Sequence, residues 1–172
     1  MLDEPIHLSA SDESWPSLAA VECSRLASAL SLPSSQIEHI GSTAVPGLLA
    51  KPILDIQLGV LPFPPPAGTL AAMAHFGYTA HGEAGVRGRL YFTARGALNF
   101  NVHVVQFGGE HWRNNLLLRQ YLRTSAVARE RYASAKLAAK SEGATRLLAY
   151  SAAKATLVTQ LLAEAQATRS AG

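Results

Sequence analysis

The segment HIGSTAVPGLLAKPILDIQLGV, residues 39–60, carries the decisive reading of the fold. It leaves one apolar run through a Gly-Ser pair, turns at a Pro-Gly pair, and enters a second apolar run interrupted by a lone Asp55 between Leu54 and Ile56. Ile37–Ile40 reads as a short strand, Gly41–Gly47 as a loop, and Ile53–Val60, rich in branched side chains, as a central strand. An isolated ionised carboxylate in an apolar interior costs several kcal/mol, while a whole domain is stable by only about 5–15 kcal/mol. Asp55 is therefore expected to be paired, metal-bound or open to a cleft.

Outward from this segment the pattern alternates between helix and strand signals. Trp15, Leu18, Val21, Leu26 and Leu30 recur near helical spacing, with Ser14 as N-cap and Pro16 in the first turn. PFPPPAG, residues 62–68, is a stiff connector. A helix is expected over Thr69–Phe76 and a strand from Tyr78 to Ala80. LYFTA and NFNVHVV flank Arg95-Gly96 and predict an antiparallel hairpin, with Leu90–Ala94 facing Asn99–Val105. From Glu110 onward the composition turns to Ala, Leu, Arg, Lys and Glu. Three helices are expected there, lined by Trp112, Leu116, Leu117 and Tyr121, then Tyr132, Ala135 and Ala139, then Leu147, Tyr150, Ala153, Leu157 and Leu161. The expected class is α+β: one domain over 1–172, with a mixed sheet core at about 14–109 and a helical part at about 110–168.

Composition bounds the function. The chain has 172 residues, 48% of them hydrophobic, enough for a real core. The single cysteine, Cys23, has no disulfide partner and is expected to be a buried structural thiol. The acidic start MLDEPIHLSASDESW does not resemble a secretory leader, and no apolar stretch reaches membrane-span length, so a soluble cytoplasmic protein is expected. Net charge is +3 and the pI about 9.2, which suits an anionic small ligand. Nucleic acid is not expected as a partner: there is no dense basic run, and aromatic residues are not interleaved with basic ones.

Gly41 and Ser42 leave one strand and Asp55 lies inside the next, so the two can meet at neighbouring strand ends. Glycine allows close backbone approach to a phosphate, and the Ser42 hydroxyl can donate to its oxygens. Asp55 can hold a hard cation that bridges phosphates. Thr43 and Lys51 add a donor and a cation, and NFNVHVV brings in His103. The plainer alternative is a tight turn with Asp55 paired to Lys51 or an arginine.

These residues are recognisable. IEHIGSTAVPGLLAKPILDI, residues 37–56, closely resembles the signature of the GrpB family, and GEAGVRGRLYF, NVHVV and WRNNLLLRQYLR resemble further family segments. Tyr132 with Lys136, and Tyr150 with Lys154, match its Tyr-x-x-x-Lys spacings. The resemblance implies a nucleotidyltransferase-like core within the nucleotidyltransferase superfamily, with a C-terminal helical part. It also implies a nucleotide or other phosphorylated small molecule as partner, and a divalent cation, Mg²⁺ or Mn²⁺, as cofactor.

On that reading Gly41, Ser42 and Thr43 cradle phosphates and Lys51, Arg119 and Lys136 neutralise charge. Asp55 holds the cation, and His103 supports the metal or moves a proton. The sequence also departs from such a site. Gln57 stands where a second carboxylate belongs, and Asn99, Asn101 and His103 stand where a third would. Glu83 is a candidate replacement acid. Gln120 replaces the family's Asp next to Arg119, which frees Arg119 for a phosphate or for Glu83. Two rival readings follow: an inactive nucleotide- or coenzyme-sensing module, and a helical interaction protein on an enzyme-derived scaffold.

Overall fold

The computed structural model describes residue 5 and residues 7–141 and 147–170, with backbone only at 147, 148, 150, 151, 153, 154 and 170. Helix α1, Trp15–Leu30, precedes strand β1, Ile37–Ile40, and β2, Leu54–Val60. Helix α2, Ala67–His75, leads to β3, Thr79–Ala80, β4, Arg89–Ala94, and β5, Phe100–Gln106. Helices α3, Glu110–Thr124, α4, Ala126–Ser141, and α5, Leu147–Ser170, complete the order. The five strands form one open mixed sheet in the order β1-β2-β5-β4-β3, in which only β2 and β5 are parallel. The α+β expectation holds at this level, and the β4–β5 hairpin pairs Ala94 with Phe100 and Arg89 with Val105.

Strand periodicity of two gives the sheet unlike faces. Leu54, Ile56, Leu58 and Val60 of β2 share one face with Phe100, Val102 and Val104 of β5, and pack against Trp15, Ala19 and Leu26 of α1 and Met73 of α2. The opposite face carries Asp55, Gln57 and Gly59 beside Asn101, His103 and Val105. Helix α3 covers it. Gly59 lets the helix approach, since a Cβ there would lie 2.7 Å from the Phe107 ring and 2.8 Å from the Trp112 indole. A second apolar cluster joins Val45 and Leu48 of the loop after β1 to Leu122, Ala128, Tyr132 and Leu161.

Some local expectations are corrected. Ser14 holds the N-cap position of α1 but makes no side-chain capping bond; its N–H and hydroxyl both donate to Asp12 Oδ1, at 2.8 and 2.7 Å, and its backbone is already helical. Helix α2 starts two residues earlier than expected, after Pro66. The fully buried members of α3 are Trp112 and Leu122, because the helix turns a polar stripe as well as an apolar one towards the sheet. The side chains of Tyr150 and Lys154 lie outside the described residues. Cys23 packs against the core, and burial, with Glu38 and Glu22 nearby, pushes its thiol up to about 11. No helix among the described residues is long and apolar enough to cross a membrane.

Gly59→Ala tests the α3 contact. Its methyl group overpacks against two rings, so unfolding should show a loss of about 1–3 kcal/mol, read as a lower denaturant midpoint with an unchanged slope.

Candidate functional site

Asp55 is the second residue of β2, flanked by Ile40 of β1 and Asn101 of β5. The chain leaves β1 at Gly41 with φ +72°, a left-handed conformation that favours glycine. A Cβ at Gly41 would sit 2.6 Å from Asp55 Oδ2. The turn and the acid therefore face each other, and two separate constraints require glycine.

The partners of Asp55 gather on one oxygen. Asn101 Nδ2 donates to Oδ1 at 2.8 Å, and His103 Nε2 lies 3.4 Å from the same atom. Arg89 contacts His103 Nδ1 at 3.4 Å through one guanidinium nitrogen, Nη1. Arginine only donates, so Nδ1 is the acceptor and Nε2 carries the proton that faces Asp55. Arg89 is held in turn by the carbonyls of Glu83 and Ala84, both at 3.1 Å, and lies over the Tyr91 ring. Among the described residues no hydrogen bond reaches Asp55 Oδ2, and the side chain keeps 27% of its surface. Burial raises the carboxyl, but His103, Lys51 and Asn101 outweigh it and hold it at about 2.

Helix α3 crosses this face as a polar seam. Gln57, wholly buried, donates Nε2 to the Trp112 carbonyl at 3.3 Å and accepts Asn115 Nδ2 at 2.6 Å. One turn on, Arg119 donates to Glu38 Oε2 at 2.8 Å and to the His39 carbonyl at 2.6 Å. Arg123 donates to the Ala44 carbonyl at 2.9 Å. Asn115, Gln57, Glu38 and Arg89 are thus the site residues that the sequence left unassigned. The spacing of Trp112, Asn115 and Arg119 at i, i+3 and i+7 was the available signal for the helix side.

The remaining expected residues fall as follows. Lys136, only 2% exposed, donates to Ser42 Oγ and to the Leu49 carbonyl, both at 2.6 Å, and lies over the Tyr132 ring. The Ser42 hydroxyl is therefore engaged with α4. Thr43 Oγ1 is 2.9 Å from His39 Nε2. Lys51 acts on Asp55 through its charge. Glu83 lies elsewhere, accepting the Gly88 N–H at 2.8 Å, so it does not replace a missing acid at Asp55, and Arg119 pairs with Glu38 instead. Asn99 belongs to the β4–β5 turn, where Oδ1 accepts the Gly96 N–H.

A cleft of about 190 Å³ opens between the sheet, α3, α4 and α5. Ile40, Gly41, Asp55, His103, Asn115 and Arg119 line its polar end, and Leu118, Leu122, Tyr132 and Val158 its walls. As a cation site the donor set is poor. Asn101 Oδ1 accepts Arg95 at 2.9 Å, Gln57 is committed to α3, and His103 Nε2 bears a proton. One open carboxylate oxygen remains, and no cluster of three His, Cys, Asp or Glu occurs among the described residues. These residues do not fit a protein-held pair of divalent cations.

The family model described as GrpB protein matches residues 5–164. The chain belongs to the GrpB family. Similar proteins include a UPF0157 protein of Pseudomonas aeruginosa, 34% identical over 96% of this chain and 69% of its own length. A UPF0157 protein of Halalkalibacterium halodurans is 32% identical over 91% and 80%. The glutamate-rich protein GrpB of Alkalihalophilus pseudofirmus is 28% identical over 72% and 75%. The crystal structure of the conserved protein GrpB from Enterococcus faecalis superposes with a TM-score of 0.78 at 25% identity, covering 95% of this chain and 99% of that one.

Two measurements check the GrpB site. Long-range proton–nitrogen NMR should find His103 protonated on Nε2, and Arg89→Ala should give a mixture of tautomers. Burial lowers His39 to about 4, against about 6.5 unfolded. The unfolded imidazole takes up a proton first, so this contribution is complete above about 6.5 and falls towards pH 4 by at most about 1.4 kcal/mol per pH unit. In His39→Gln the slope of stability against pH should flatten in that window.

Proposed function

We propose that the GrpB site binds a nucleotide or related phosphorylated small molecule and directs nucleotidyl transfer from a nucleoside triphosphate to a small acceptor. The observation that carries this reading is the approach of Gly41 to Asp55: a turn without a side chain leaves an ionised acid open to a ligand. Charge supports it. Lys51, Arg89, Arg119, Arg123 and Lys136 lie around Asp55 and Glu38, and this excess of cations favours a polyphosphate. Nucleotidyl transfer depends mainly on positioning and charge neutralisation. Asp55, held at about 2, is a weak base at neutral pH, so its part is to orient and to hold charge. Asp55 contributes one open carboxylate oxygen to the cleft, so a divalent cation in this reading arrives with the triphosphate.

A second reading, a nucleotide- or coenzyme-binding module without turnover, is favoured by Gln57 and Asn101. Both occupy carboxylate positions and both are committed to structural hydrogen bonds.

Calorimetry with nucleoside triphosphates, with and without Mg²⁺ or Mn²⁺, followed by a pyrophosphate-release assay, separates the readings. Both expect binding; only the first expects pyrophosphate in the presence of an acceptor, reduced about 100-fold or more in Asp55→Asn. Failure of every nucleotide to bind sinks both.

A further inference from the structure

We infer that the cleft beside Asp55 is the acceptor side of this site, and that it takes a compact aliphatic or alicyclic molecule bearing a hydroxyl or ammonium head. The word acceptor rests on the function proposed above; the ligand chemistry rests on the cleft alone.

Size is the first constraint. At about 190 Å³ the space falls below the roughly 300–1,000 Å³ of pockets that bury drug-sized ligands. It is slightly larger than the roughly 150 Å³ cavity that holds one benzene. A six-carbon ring with a polar head fits, whereas a nucleoside triphosphate does not. The walls are the second constraint. Leu118, Leu122 and Val158 offer no hydrogen bond, so a polyphosphate placed among them would lose its hydration without compensation. An apolar body gains there.

The polar end sets the head. Asp55 Oδ2 has no hydrogen bond among the described residues, and Asn115, having given Nδ2 to Gln57, has none at Oδ1. Both are acceptors, and a head that donates satisfies them. Arg119, the arginine that lines the cleft with Asp55, gives Nη1 to both Glu38 and the His39 carbonyl, and among the described residues its buried Nε has no partner. A carboxylate head would meet the ionised Asp55 at its open oxygen, like charge against like. Gly41 is exposed and bare, so the head remains reachable from the mouth. There the head's oxygen or nitrogen bonds to the α-phosphorus, the bond to pyrophosphate breaks, and the displaced head-group protons go to water.

The test titrates the full chain, free of nucleotide, with cyclohexylamine, cyclohexanol and cyclohexanecarboxylate, followed by amide NMR shifts. The amine or the alcohol should bind at least tenfold more tightly than the carboxylate, with shifts centred on Ile40, Asn115 and Leu118. Leu118→Trp, which fills the cleft, should abolish binding, and Asp55→Asn should erase the discrimination against carboxylate. Equal or tighter binding of the carboxylate overturns the inference, as does binding that survives Leu118→Trp or the absence of binding by all three. Nucleotide binding with no alcohol or amine binding would remove this inference alone; the reverse would remove the proposed function and leave the ligand class standing.

Discussion

A carboxamide with no exposed surface, Gln57, lies in the middle of the sheet and cannot be left unsatisfied: an unpaired buried polar group costs about 1–3 kcal/mol or more. Helix α3 satisfies it at both ends, through the Trp112 carbonyl and Asn115. That requirement fixes the register of the helix on the sheet. With Asn115 over β2, Trp112 fills the space above Gly59 and Arg119 reaches β1. The three contacts are one helical stripe meeting successive points of the polar face, so moving one moves all.

From this seam the loop after β1 is placed. Arg123 holds the Ala44 carbonyl, Lys136 holds Ser42 and Leu49, and Val45 and Leu48 enter the apolar cluster of the last three helices. The helical half is therefore the wall of the cleft and the clamp on its turn. That argues against a scaffold on which the helices serve only as an interaction surface.

The sheet was legible because strands announce themselves locally: alternation and branched residues marked β1, β2 and the hairpin within a residue or two. The pairing of Gly41 with Asp55 was also legible, since a strand, a glycine turn and a returning strand put their ends together. The seam was not. Gln57 meets Asn115 across 58 residues, Glu38 meets Arg119 across 81, and Ser42 meets Lys136 across 94. Periodicity assigns a residue to a face but not to a partner. Gln57 thus read as an acid gone missing rather than as the anchor of a helix, and Arg119 as free rather than paired.

The amide beside Asp55, Asn101, has an electrostatic effect. A second carboxylate at position 101 would lie beside Asp55 across the strand pair, and two like charges that close raise the pKa of one of them unless a cation intervenes. Asn101 removes the charge and supplies a donor in its place, at 2.8 Å from Oδ1. The Nε2 proton of His103, fixed by Arg89 behind it, faces the same oxygen. Asp55 is therefore stable as an anion without any metal, and its open oxygen is directed by the protein alone. On the function proposed above, a ligand would meet one fixed negative atom, and the hydrogen-bonding sense of its head, rather than metal affinity, would be the property the fold controls.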